Sequence, residues 1–159
     1  MQDIYKTFEF NKIQEKLLEY SKTELGREYI DNLMMLDSLE QVTSSLEDLK
    51  EMMSIVTRFG IMPIQTSANA LKLIEMAKKT GLLTPRDLNL IALDVLTSQN
   101  IVKFLNKIDL NYPRTLKRVG EFVDLTNLAK EINRVITNAL TVADNATPEL
   151  KEIKQKNNH

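Results

Sequence analysis

The sequence predicts an all-α fold, an irregular bundle of about six or seven helices, on three observations. Apolar residues recur at three- and four-residue spacing through most of the 159 residues. Glycine and proline occur only 4 times each and lie far apart, which suits helices with few tight turns better than a sheet. The borders of the periodic segments carry helix start and stop signals, and no strand signal competes except an extended Phe8-Glu9-Phe10.

In chain order, Asn11 followed by Gln14 resembles a capping box, and Ile13, Leu17 and Tyr20 then place an apolar stripe on a first helix. Ser21 with Glu24 repeats the pattern, and Leu25, Tyr29 and Leu33 mark a second helix that ends before Asp37. Asp37 with Glu40, or Ser38 with Gln41, opens a longer third helix. Its stripe, expected to face inward, is Leu39, Val42, Leu46, Leu49, Met53 and Val56; Gly60 and Pro63 end it. Ser67 is the expected cap of a fourth helix, with Leu71, Ile74 and Ala77 inward and Gly81 as its left-handed terminator.

"TPRD" then supplies Thr84 as cap, Pro85 at the first helical position and Asp87 in the first turn. Leu88, Ile91, Val95, Val102 and Leu105 follow on one face of the longest helix, expected over 85–107. Tyr112-Pro113 breaks the chain before a short helix at 114–119, and Leu125, Leu128, Ile132 and Ile136 mark the next. Thr147, Pro148 and Glu149 start a last helix whose stripe is Leu150 and Ile153. So short a helix is marginal alone, which predicts fraying over 155–159 and at most weak self-association. The domain organisation expected is a helical core over 1–146 and this helix over 147–159.

With 43% apolar residues and a formal charge of −1, the composition is that of a soluble globular domain. Basic and acidic residues number 7 and 12 over 1–60, 9 and 4 over 61–120, and 5 and 6 over 121–159, a modest asymmetry read as solvated faces. The absence of cysteine removes disulfides, thiolate metal sites and thiol nucleophiles, and fits a cytoplasmic protein. Asp3 and Glu9 break the start of the chain, so it does not read as a secretory signal. The longest apolar runs, Leu33 to Leu36 and Leu90 to Leu93, are far shorter than the roughly 20 residues of a membrane span, so no membrane partner is expected.

The sole histidine, His159, is the last residue, which argues against His-based acid–base catalysis and His metal sites. No G-x-S-x-G, S-x-x-K or phosphate-cradling G-x-x-x-x-G-K-[ST] occurs. Catalytic, cofactor-binding and metal residues are therefore expected to be none, and the chain is expected not to be an enzyme. Glu24 with Glu28 and Glu47 with Glu51 share helix faces, but Arg27 and Lys50 beside them favour a solvated face over an acid–base or metal pair. Met34, Met35, Met52, Met53, Met62 and Met76 read as core packing. The nucleic-acid contact candidates are Arg114, Lys117, Arg118, Lys151 and Lys154.

Three stretches in this order resemble the N-terminal region of the bacterial MutS-two family, mismatch-protein relatives without the mismatch-recognition domain. They are "FEFNKIQEKLLEYSKTELGREYI", "GLLTPRDLNLIALDVL" and "EINRVI…VADNATPELKEIK". The T-E-L-G-[RK]-E pattern at Thr23 to Glu28 carries the resemblance in combination with Asp144-x-Ala146-Thr147-Pro148-Glu149-Leu150. In that family the last motif opens a lever helix leading to a DNA-embracing clamp, with an ATPase and a nuclease-type domain beyond. The resemblance implies that 147–159 starts such a lever. It also implies a non-enzymatic core-and-lever scaffold of an ATP-dependent DNA- or ribosome-handling protein. The partners implied are the remainder of a MutS-type protein, DNA or the ribosome through that whole, and a weak homodimer. A stand-alone helical interaction module is the alternative. Lys154 stands where the family tends to have arginine, and Leu140 where a turn glycine is usual.

Overall fold

The computed structural model describes residues 9–65, 69–108 and 111–157. Ser67, Phe8 and His159 lie outside them. The described residues form eight helices: α1 Phe10–Tyr20, α2 Glu24–Asp31, α3 Leu39–Phe59, α4 Ala70–Thr80, α5 Pro85–Leu105, α6 Pro113–Gly120, α7 Thr126–Val135 and α8 Pro148–Asn157. The all-α class holds, with more helices than the six or seven expected. The nearest approach to a sheet among the described residues is one antiparallel bridge, Ile136 to Val142.

Several caps differ from the expected ones, each for a local reason. Glu9, in the left-handed region at φ 51°, precedes α1, so Asn11 is already helical and forms no capping box. Ser21 ends α1 instead of starting α2; the cap of α2 is Thr23, whose hydroxyl accepts from Gly26 N at 3.0 Å. A Cβ on Gly26 would stand 2.8 Å from Ser21 Oγ and 2.9 Å from Thr23 Oγ1, so the glycine of T-E-L-G-R-E makes room for the cap. Of the two alternatives for α3, Ser38 with Gln41 is the one formed, at 3.2 Å. Asn69 caps α4 through Leu71 N, and Gly81 at φ 70° ends it as expected. Thr84 and Asp87 make a reciprocal capping box, Thr84 N to Asp87 Oδ2 at 2.9 Å and Asp87 N to Thr84 Oγ1 at 3.2 Å.

The chain divides into two compact units, Met1–Ser67 with Asn100–Phe122, and Ala68–Gln99 with Val123–His159. In the first, Ile55 of α3, Leu105 of α5, Ile108 and Tyr112 form the buried cluster, with Phe59, Met62, Ile101, Phe104, Leu116 and Val119 against it. In the second, Ile91 and Ala92 of α5 meet Ala129 and Ile132 of α7 and the bridged Ile136. α5 has the length and mean hydropathy, 1.2, of a membrane-crossing helix. Its apolar residues instead supply core to both clusters, and Arg86, Asp87, Asn89 and Asp94 interrupt it.

Four expected stripes do not face a core. Ile13, Leu17 and Tyr20 of α1 and Leu25 and Tyr29 of α2 are exposed, and neither helix buries a residue. On α3, Leu39 is 83%, Leu46 60%, Leu49 54% and Met53 62% exposed, and the buried residue is Ile55. α4 turns Ala70 and Leu73 inward and leaves Leu71 and Ile74 exposed. Leu125 and Leu128 are also exposed, because α7 is rotated to bury Ala129 and Ile132. Met62 packs as expected, whereas Met34, Met35, Met53 and Met76 lie at the surface. Periodicity locates a face, but a face is buried only if another element lies over it.

α8 starts where its cap requires, with Leu150 N bonded to Thr147 Oγ1 at 3.2 Å. Its Glu149 carboxyl is held below the usual range by its own N–H and by the Thr147 hydroxyl. The helix extends to Asn157, and Ile153 is exposed.

Candidate functional site

The densest polar constellation among the described residues lies where α3 meets α6, inside the first unit. A second stripe on α3, Ser44, Asp48, Glu51, Ile55 and Phe59, recurs every three or four residues and so shares one face. Its apolar end, Ile55 and Phe59, joins the buried cluster. Its polar end meets the first turn of α6.

Pro113 places α6's start next to Tyr112, which provides no side-chain cap. Glu51 provides it from α3 instead: its carboxylate accepts from Arg114 N at 3.2 Å, Thr115 N at 2.9 Å and the Thr115 hydroxyl at 2.9 Å. Two N–H groups without intrahelical acceptors are thereby satisfied, and a negative charge sits at the positive end of the helix dipole. Partial burial pushes the Glu51 carboxyl up, but the Thr115 and Arg114 bonds outweigh it and hold the group below its ordinary value.

The Arg114 side chain turns back along α3. Its Nε donates to Asp48 Oδ1 at 2.5 Å, Nη1 to Glu47 Oε2 at 3.0 Å, and Nη2 to the Ser44 carbonyl at 3.1 Å and hydroxyl at 2.5 Å. Arg118, one turn on, donates to the other Asp48 oxygen. Asp48 therefore bridges two guanidinium groups, and the bonds from Arg114 and then Arg118 hold its carboxyl below the usual carboxylate range. Beneath this network the Tyr112 hydroxyl meets Ser54 Oγ at 3.0 Å, and its ring stands edge-on to Phe59, centroids 6.1 Å apart. A cleft of about 480 Å³ opens beside it, lined by residues including Lys50, Glu51, Asn111 and Arg114.

Of the basic candidates, Arg114 and Arg118 thus point into the protein's own carboxylates, while Lys117 is exposed. Lys151 and Lys154 belong to the other unit, where Lys154 pairs with Asp144 at 3.3 Å. Glu47 is exposed as the solvated reading expects, but it pairs with Arg114, and Glu51 is half-buried against the head of α6. Sequence reasoning passed over Ser44 and Asp48, although their spacing with Glu51, Ile55 and Phe59 was the available signal. Among the described residues no group of three or more His, Cys, Asp or Glu side chains is arranged to hold a metal ion.

The terminal motif has its own internal roles. Ala146 is buried and its carbonyl accepts from Arg134 Nη1 at 3.3 Å, Asp144 pairs with Lys154, and Thr147 caps α8. Before it, Leu140 takes φ 56° at the end of a turn closed by Leu140 N to Thr137 O at 2.9 Å. That is the left-handed geometry for which glycine is favoured.

No family model matches the chain. It is similar to the Endonuclease MutS2 of Clostridium botulinum (strain Alaska E43 / Type E3), 29% identical over 159 residues, covering 96% of this chain and 20% of that protein. The Endonuclease MutS2 of Clostridium beijerinckii is 28% identical over 155 residues, covering 94% and 20%. That of Bacillus mycoides is 26% identical over 154 residues, covering 95% and 20%. The likeness thus runs through both terminal motifs and the helices between them. The chain is MutS2-like over nearly all of its length and spans about a fifth of the length of the curated relatives it matches.

Proposed function

We propose that this chain acts as a non-catalytic helical scaffold, the core and start of the lever, within a MutS-type protein that handles DNA or ribosomes with ATP. The observation that carries this reading is how the charged groups are used. Glu51, Asp48, Arg114 and Arg118 hold α3 to α6, so these charges are used to join two helices. A scaffold needs such cross-helix locks, because a helix transmits displacement only as far as its ends are held. The capped start of α8 supports the lever, since Thr147, Asp144 and Ala146 fix the helix's direction where it leaves the core.

ATP turnover or metal-dependent nuclease activity in the purified chain would overturn the reading. The positive test is reconstitution: the ATPase-bearing remainder of a MutS2 relative, supplied in trans, is expected to bind this chain. The interaction must weaken when Thr147→Ala releases the α8 cap. Binding unaffected by that change would place the contact elsewhere than the lever.

The exposed apolar stripes of α1, α2 and α3 favour a second reading, a self-contained interaction module. A reading frame that continues past residue 159 into a phosphate-cradling loop would support the scaffold, and a stop codon there would support the module.

A further inference from the structure

The exposed stripe of α3 has a more specific pattern than amphipathicity alone. Leu39, Val42, Leu46, Leu49, Met53 and Val56 are separated by three, four, three, four and three residues, the 3.5-residue repeat of a coiled-coil seam. The same helix packs on its own unit with the other face, through Ser44, Asp48, Glu51 and Ile55. The seam is therefore formed and presented without a partner helix, and Met52, Met53, Val56 and Thr57 shape a groove of about 340 Å³ along it.

We infer that this seam takes the same helix of a second copy of the chain, in antiparallel orientation. Charge selects the orientation. Beside the seam, Glu47 lies one turn before Lys50, and an antiparallel pair in which Leu46 faces Leu49 brings Glu47 of one copy next to Lys50 of the other. The antiparallel pair makes this contact twice and opposes the helix dipoles, whereas a parallel pair aligns the dipoles.

Of the flanking positions Thr43, Ser45, Lys50, Met52 and Thr57 only Lys50 is charged, so self-pairing meets little like-charge repulsion there. The side-chain layers also match. Leu39 falls opposite Val56, Val42 opposite Met53 and Leu46 opposite Leu49, pairing a larger with a smaller or equal side chain. Val42 and Val56 stand at seam positions where a parallel two-stranded pair favours leucine.

At roughly 80–100 Å² of removable apolar surface per seam side chain, two copies bury roughly 1,000 Å² in total, the lower edge for a specific interface. The dimer is accordingly weak, with Kd on the order of tens of micromolar. The inference goes beyond the scaffold reading and is independent of α8.

Sedimentation equilibrium of the whole chain from about 1 to 300 µM reads it directly. A monomer–dimer equilibrium is expected, weakened at least tenfold by Leu46→Glu. That residue is exposed in the monomer, so an unchanged circular dichroism spectrum is expected as the folding control. A chain monomeric throughout, or a dimer indifferent to Leu46→Glu, assigns the seam to another occupant and overturns the inference.

The cysteine-free sequence allows the orientation to be tested by cross-linking. Leu39→Cys mixed with Val56→Cys is expected to form a mixed disulfide. Leu39→Cys alone must not cross-link, because the two positions lie about 25 Å apart in the antiparallel pair. Self-cross-linking of Leu39→Cys alone would indicate parallel pairing and overturn the proposal.

Discussion

Glu51 and Thr115 are joined twice across the α3–α6 contact, carboxylate to N–H and carboxylate to hydroxyl, both at 2.9 Å. The pair replaces a cap that α6 cannot provide for itself, and it converts the contact of two helices into a fixed register.

Removing Glu51 should therefore cost more than an exposed glutamate does. Glu51→Ala leaves the Arg114 and Thr115 N–H groups without their acceptor, and a loss of about 1–3 kcal/mol is expected. Thermal melts should show it. A double-mutant cycle with Thr115→Val should be non-additive by at least about 0.5 kcal/mol, and additive losses would mean that the cap does not hold the contact.

The same carboxylates set an acid limit. Asp48 and Glu51 titrate lower in the folded chain than in the unfolded one, so the unfolded chain binds more protons as pH falls. Their stabilisation is complete above the unfolded carboxylate range near pH 4 and disappears as pH drops through the lower folded values. The melting temperature should change little between about pH 7 and 5 and fall below about pH 4. Asp48→Asn should flatten the acid fall, and an equally steep fall in that variant would remove Asp48 from the account.

Leu140 adopts φ 56° while only partly buried. A left-handed non-glycine residue costs about 1–2 kcal/mol, and glycine's greater unfolded-state freedom returns part of that. Leu140→Gly should raise stability by up to about 1 kcal/mol and Leu140→Val should lower it. Denaturant unfolding distinguishes the two, and a destabilising Leu140→Gly would show that Leu140's packing outweighs its strain.

At Gly26, the usual helix gain of about 1 kcal/mol from alanine should not appear, because the added Cβ meets Thr23 Oγ1 and Ser21 Oγ. Thr23→Ala should cost about 1 kcal/mol by removing the cap. Gly26→Ala should be better tolerated in the Thr23→Ala background than alone. Equal effects in the two backgrounds would break the link between the two motif residues.

Nucleic-acid binding by the isolated chain should be weak at about 150 mM salt, since the net charge is −1 and a cluster of two or three basic residues neutralises few phosphates. The side-chain N–H groups of Arg114 bond to Asp48, Glu47 and Ser44. Fluorescence anisotropy with duplex and branched DNA is the measurement. Submicromolar binding abolished by replacing Arg114, Lys117 and Arg118 with alanine would return that cluster to a contact role.

By itself the sequence determined the helices and most of their ends, because these depend on neighbours a few residues apart. Ser38 with Gln41, Gly81, Thr84 with Asp87 and Thr147 before Pro148 are all local hydrogen-bond or backbone requirements. It also carried the MutS2 likeness, which runs over 96% of the chain.

Only the tertiary structure decided which faces are covered. The seam of α3 has the stronger apolar pattern, yet the face with Ser44, Asp48 and Glu51 is the one that packs, because Arg114, Thr115 and Arg118 arrive from more than sixty residues away to satisfy it. Periodicity is a property of one helix, whereas burial and charge pairing belong to two, and the second helix of such a pair is not written in the spacing of the first.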